Sequence, residues 1–107
     1  MSEISYDDFA KLELRIGLVK SVERVEGAEK LYKLSVDVGG EERQLVAGLA
    51  EFLSPEEING KNIVVLTNLA PRKIRGVESQ GMLLAAEAGG RVSLLTADGM
   101  PPGALIR

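Results

Sequence analysis

Of the side chains here that could do chemistry, the acids crowd the first half of the chain, and one later window holds cations alone. Between residues 58 and 77 there is no acid, and the same window holds Lys61, Arg72, Lys73 and Arg75. Pro71 stiffens the entry to this segment, and Gly76 allows a turn or a close approach that a side chain would block. Asn68, Ser79 and Gln80 flank it with groups that both donate and accept hydrogen bonds. Cations beside amides and a hydroxyl suit contact with phosphates and ribose hydroxyls. Blander readings stand next to this one. The window could be a solvated loop, Ser79-Gln80 could cap the next strand, Gly81 could mark a bulge, and Met82 and Leu84 read as core.

Six of the sixteen acids stand as adjacent pairs, Asp7-Asp8, Glu41-Glu42 and Glu56-Glu57. At helix starts and turns such pairs read as solvated faces or partners of the helix dipole, not as an acid–base couple. The chain has no histidine and no cysteine. The commonest general base, the commonest nitrogen ligand and every thiolate are therefore missing, so we expect no catalysis, no metal and no cofactor. Gly39-Gly40 and Gly89-Gly90 lie between strand-like runs and read as hairpin turns rather than a phosphate loop. No apolar run approaches a membrane span, and the N-terminus lacks the layout of a signal peptide. The expected compartment is the cytoplasm.

The elements that must position these residues follow from the apolar period. The chain has 107 residues, 45% of them hydrophobic, which is enough for one modest core, so residues 1–107 are expected to form a single domain. Ser5-Tyr6-Asp7-Asp8 has the form of a capping box and predicts a short helix through Phe9 to about Lys11. From Leu12 the period is two, giving a long strand to about Val25 with a bend or bulge at Gly17. Leu34, Val36 and Val38 alternate in a second strand, and a third runs around residues 43–48. Ser54-Pro55-Glu56-Glu57 starts a second helix that Asn59-Gly60 ends. Residues 63–66 form a strand buried on nearly both faces, and residues 81–86 and 92–95 read as two more strands around Gly89-Gly90. Three strands, a short helix, then two strands is the order of an OB-fold, an all-β, five-stranded Greek-key barrel. Short helices and extra C-terminal strands complete it.

A longer pattern narrows the reading. The run Asn68-Leu69-Ala70-Pro71-Arg72-Lys73-Ile74-Arg75-Gly76-Val77-Glu78-Ser79-Gln80-Gly81-Met82 occurs with residues 8–17, with Ala28-Glu29-Lys30-Leu31 and with Pro102-Gly103. Together these resemble the tRNA-binding domain found at the C-terminus of many methionyl-tRNA synthetases and as stand-alone tRNA-binding proteins. The resemblance runs from about Ser5 to Ile106. It implies an OB-fold, tRNA binding without base-sequence specificity, and commonly a homodimer. A methionyl-tRNA synthetase catalytic subunit is a further partner it suggests. By match to the motif it implies that Asn68, Arg72, Lys73, Arg75, Gly76, Ser79 and Gln80 face RNA, with Arg15, Lys30 and Lys33 as weaker candidates. Ala47 departs from a serine common in the family. An export-related peptide-binding chaperone of similar fold is the alternative, although such proteins usually lack the continuation that is intact here from Glu78 to Met82.

Aromatic residues, 4% of the chain, count against binding of single strands. Tyr6, Phe9, Tyr32 and Phe52 are the full set, and Phe9 and Phe52, next to the helices, are expected to be buried. Too few rings then remain for a platform on which bases stack.

Overall fold

A computed structural model describes residues 2–107. Ser5 opens the first helix, α1 (Tyr6–Ala10), its hydroxyl accepting the Asp8 amide at 3.1 Å. Next come β1 (Leu14–Val25), β2 (Ala28–Asp37) and β3 (Glu42–Ala47), joined by turns in which Gly27, Gly39 and Gly40 all have positive φ. Ser54 starts α2 (Pro55–Ile58), with proline at the head of the helix and the Glu57 carboxylate accepting the Ser54 amide at 2.8 Å. The chain continues through β4 (Asn62–Leu66), the hairpin β5 (Arg72–Ile74) and β6 (Val77–Ser79), the short β7 (Met82–Leu83), and a second hairpin, β8 (Ala85–Ala88) and β9 (Arg91–Leu94).

Five strands make one antiparallel sheet in the order β3-β2-β1-β4-β7. The sheet curls until β3, at one end, packs against β6 and against β7 at the other. Inside lie Val19, Tyr32, Leu34, Val36, Leu45, Ile63 and Val65, with Ile58 of α2 closing one mouth. The alternation in β2 and β4 explains this placement, because every second residue points inward. Gly17 serves the curl: a Cβ there would stand 2.5 Å from Val36 Cγ1. It marks a close crossing, and the irregularity expected at Gly17 falls instead at Lys20, where the β1–β2 register skips between Val19 and Ser21.

Other expectations are corrected as well. The basic segment is a regular hairpin, not a loop, because Ile74 and Val77 pair across a two-residue turn. Leu12 lies outside the strand and is exposed. Phe9 and Phe52 are exposed rather than buried, since α1 buries no residue and Phe52 precedes α2 at the surface. Met82 is about half exposed at 49%, although its neighbour Leu83 is core.

The C-terminal segment completes β1. The first part of β1 pairs with β4 on one side and has no strand on the other, because β2 joins only from Leu18 onward. Residues 103–106 fill that edge. Gly103 N–H donates to Ile16 O, Ile16 N–H to Ala104 O and Ile106 N–H to Leu14 O, at 2.8 to 2.9 Å. The Arg15 guanidinium adds a bond to Gly103 O at 2.9 Å. The segment enters by crossing the β2–β3 turn so closely that a Cβ on Gly39 would lie 2.6 Å from Gly103 Cα.

This crossing separates two adjacent glycines. Gly39 and Gly40 both have positive φ, but nothing lies within 4 Å of a Cβ on Gly40. Gly40→Ala should cost only backbone strain, about 1 kcal/mol, whereas Gly39→Ala adds a backbone clash and should cost about 2–4 kcal/mol. Urea denaturation reads the difference. Amide exchange at Ile16 and Ile106 should rise in the Gly39 variant alone. Equal midpoints for the two variants would contradict the close crossing.

Candidate functional site

The site is built on the hairpin of β5 and β6. Arg75 and Gly76 form its two-residue turn with φ of 53° and 80°, positive at both positions as a type I′ turn requires. Such turns match the twist of the flanking strands, which is why the hairpin is short and regular. Among the described residues Arg75 is the one non-glycine residue with positive φ. Holding an arginine there costs of order 1 kcal/mol. The turn therefore displays a cation at a position glycine would occupy with less strain.

Arg72, Lys73 and Arg75 are all exposed, and none makes an ion pair among the described residues. Lys73 lies opposite Glu78 in the hairpin register, but the Glu78 carboxylate accepts from Gln80 Nε2 at 3.2 Å. Three cations thus stand free at one end of a molecule whose net charge is −3. Lys30 joins them, since it lines a groove shared with Ile74 and Arg75.

The other expected site residues are placed differently. Ser79 is buried, and its hydroxyl accepts the Val46 amide at 3.0 Å while donating to Gly81 O at 2.9 Å. The Gln80 side chain accepts the Gln44 amide at 3.0 Å, and its backbone N–H donates to Gln44 O at 2.7 Å. Gln44 Nε2 returns a bond to Glu78 O at 2.8 Å. These contacts satisfy the free edge of β3. Asn68 is exposed, yet its side chain accepts from Glu13 N–H at 2.8 Å and donates to Lys11 O, fastening the approach to β5 against the start of β1. Arg15 bonds Glu13 at 3.0 Å as well as Gly103 O, and this bond with that of Thr67 holds the Glu13 carboxyl below its usual range. Lys33 pairs with Glu23 at 3.5 Å on the outer side of β1 and β2.

The structure therefore brings Arg72, Lys73, Arg75, Gly76 and Lys30 to one end. It sets Asn68, Ser79, Gln80 and Arg15 among the fastenings and leaves Lys33 apart. Arg43 does fastening work that the sequence did not suggest: its guanidinium donates to Thr67 O and to Gln80 O and pairs with Glu41 at 3.0 Å. One arginine in a half-buried strand gives no periodic signal for such a bridge. The outer side of β2 and β3 mixes Lys33 and Arg43 with Glu23 and Glu42. The aromatic ring of β2, Tyr32, is fully buried and donates to Leu53 O at 2.8 Å. Of the exposed rings, Tyr6 and Phe9 face each other on α1, 6.1 Å apart. This part of the sheet face thus offers neither a stacking ring nor a surplus of positive charge, and the hairpin holds the densest group of unpaired cations. No cluster of potential metal ligands occurs among the described residues.

Comparison with known proteins agrees with the order of these elements. The family model described as "Putative tRNA binding domain" matches residues 14–104. A methionine–tRNA ligase of Thermococcus kodakarensis is 53% identical over 98 residues, covering 92% of this chain and 13% of that enzyme. One from Thermotoga maritima is 53% identical over 104 residues, covering 96% of this chain and 16% of the enzyme. The chain thus spans only about a seventh of the curated relatives it matches. Among solved structures, a MetRS-related protein from Pyrococcus horikoshii superposes with a TM-score of 0.94 at 43% identity, covering both chains completely. A CsaA chaperone protein from Picrophilus torridus superposes with a TM-score of 0.91 at 32% identity, over 98% of this chain and all of that one.

Ser79→Ala tests the fastening. It leaves the Val46 amide buried without a partner, which should cost about 1–3 kcal/mol. Loss of binding in this variant should track unfolding and disappear at temperatures where the variant is fully folded. A variant as stable as the parent in urea would show that the Ser79–Val46 bond does not hold the edge.

Proposed function

Because this chain belongs to the family of tRNA-binding domains, we propose that it binds folded tRNA through the β5–β6 hairpin and performs no chemistry itself. The observation that carries this reading is the set of unpaired cations, Arg72 and Lys73 on β5 and Arg75 in the turn that follows it. With a net charge of −3 on the whole chain, three free cations gathered on one hairpin give RNA a favoured point of approach. Contacts of cations with phosphates report backbone shape, not sequence, which fits recognition of a fold shared by all tRNAs. We read the curled sheet, with α2 between β3 and β4, as an OB-type barrel whose terminal loops carry the ligand.

The relatives named methionine–tRNA ligase give the reading a context. A module of this kind raises the local concentration of tRNA for a synthetase, either within one chain or as a separate partner of the catalytic subunit, in the cytoplasm. A second reading has one observation behind it, the likeness to a CsaA chaperone protein. It predicts tighter binding to unfolded peptide than to tRNA.

A two-fold dimer is also part of the proposal. Leu14, Leu66 and Met82 lie directly across from one another on β1, β4 and β7 and so share one outer face of the sheet. Ile106 bonds alongside Leu14 and so borders this face, while Leu105 lies across from Arg15 on the other side. The exposed Ala85 and Ala86 extend the apolar surface. A self-complementary contact is the commonest way to cover such a face. Sedimentation at micromolar protein without RNA should show a dimer, and Met82→Glu should shift it to monomer. A parent protein that sediments only as monomer would refute this part.

Replacing Arg72, Lys73 and Arg75 by Ala tests the hairpin. For about three to five phosphate contacts the slope of log K against log salt should be of order −2 to −4 in the parent. The triple variant should weaken binding to every tRNA about equally and flatten the slope by roughly two units. Its stability should change by no more than about 0.5 kcal/mol, because the three side chains are exposed and unpaired. A folded triple variant with unchanged affinity and slope would remove the hairpin from RNA binding. Tighter binding to unfolded peptide than to folded tRNA would favour the second reading.

A further inference from the structure

The tip of the hairpin does not stand clear of the sheet. Between it and the turn joining β1 to β2 runs a groove of about 720 Å³. Its less exposed lining is apolar: Ala28 is buried, and Leu31 and Ile74 are half-buried. Its exposed lining carries two cations, Lys30 and Arg75, and two carboxylates, Glu29 and Glu51. None of the four pairs with another within ion-pair range. The groove is therefore neutral in sum, with charges of both signs around an apolar base.

We propose that this groove takes one unstacked nucleotide of the bound RNA, an inference that rests on the tRNA-binding reading. A bare phosphate would meet two carboxylates as well as two cations and would gain little. A paired helix is too broad for a groove of small-ligand size. A single nucleotide fits both halves of the chemistry. Its base lies on Ile74 and Leu31, and its phosphate meets Arg75 and Lys30. Its exocyclic amine donates to Glu29 or Glu51, since carboxylates accept and do not donate. Adenine and cytosine have that amine, and uracil presents a carbonyl oxygen in its place. Recognition by the hairpin cations, which is blind to sequence, thus gains one position that disfavours uridine. Arg75 belongs to both, which gives the strained turn a reason to hold an arginine.

The test uses hairpin RNAs identical except for one bulged nucleotide (adenosine, cytidine or uridine), with folded tRNA as the reference ligand, all measured by anisotropy on the full chain. Bulged adenosine and cytidine should bind about tenfold tighter than bulged uridine. In the double variant Glu29→Gln with Glu51→Gln the amides can donate as well as accept, and the ratio should fall to within about twofold. Both positions are exposed and unpaired, so the fold should survive, as circular dichroism would confirm. Folded tRNA bound tightly together with equal affinity for all three bulges would overturn the groove proposal and leave the tRNA reading intact. An undiminished ratio in the double variant would likewise remove the two carboxylates from recognition. Failure to bind folded tRNA would overturn both.

Discussion

The outer edge of β3 carries two amides, those of Gln44 and Val46, that face away from β2. The rest of the structure depends on how these are met. No full strand pairs there. Ser79 Oγ accepts one amide and Gln80 Oε1 the other, while the Gln80 backbone and the Gln44 side chain bond back across the gap. Side chains thus close a sheet that main-chain pairing leaves open. An unmet buried amide would cost about 1–3 kcal/mol, and an open edge would invite pairing with another chain. Because Ser79 ends β6, the same contacts fix the hairpin to the barrel. The cations along the hairpin are therefore held by the closure itself.

Much of this could be read from the residues. The capping residues Ser5 and Ser54 and the glycine turns placed their elements to within a residue or two, whereas β2 begins at Ala28, well before the alternation of Leu34, Val36 and Val38 shows it, and the run 81–86 is divided between β7 and β8 in different sheets. The cationic window was plain, and Arg72, Lys73 and Arg75 do stand together and free. Ser79, Gln80 and Asn68 could not be sorted in the same way. Their side chains both donate and accept, so the sequence does not say whether the partner is a ligand or the protein's own backbone. Only the fold decides, because Val46, Gln44 and Glu13 lie far off along the chain. The exposed Phe9, Phe52 and Met82 show a related limit: an apolar side chain near a helix or in a strand is expected inside until the available interior has been filled. The groove beside Arg75 had no signal at all, since Glu51 reaches it from beyond β3.

The charge distribution also bears on how a small acidic protein can meet a polyanion. Lys33 and Arg15 are held by Glu23 and Glu13, and Arg43 by Glu41 and two carbonyls. Paired cations of this sort add little to the outward field. Other cations are unpaired too, but they are spread singly along the chain, whereas the hairpin gathers three within four residues and presents one of them on a turn with positive φ. Net charge alone would have argued against a nucleic-acid ligand. The location of the free cations argues for one.

The pairing of residues 103–106 with the first part of β1 has a mechanical meaning. Leu14 and Ile106 are bonded neighbours on antiparallel segments, so the chain leaves the barrel at the same end in both directions. Tension applied through the two flanking segments would open this pair from its end, one hydrogen bond after another, rather than shear the bonds together. The first yield under load would be gradual and reversible, and it would spare the curled sheet and the hairpin. A tether attached at both sides could then lengthen by a few residues while the RNA-facing end kept its shape.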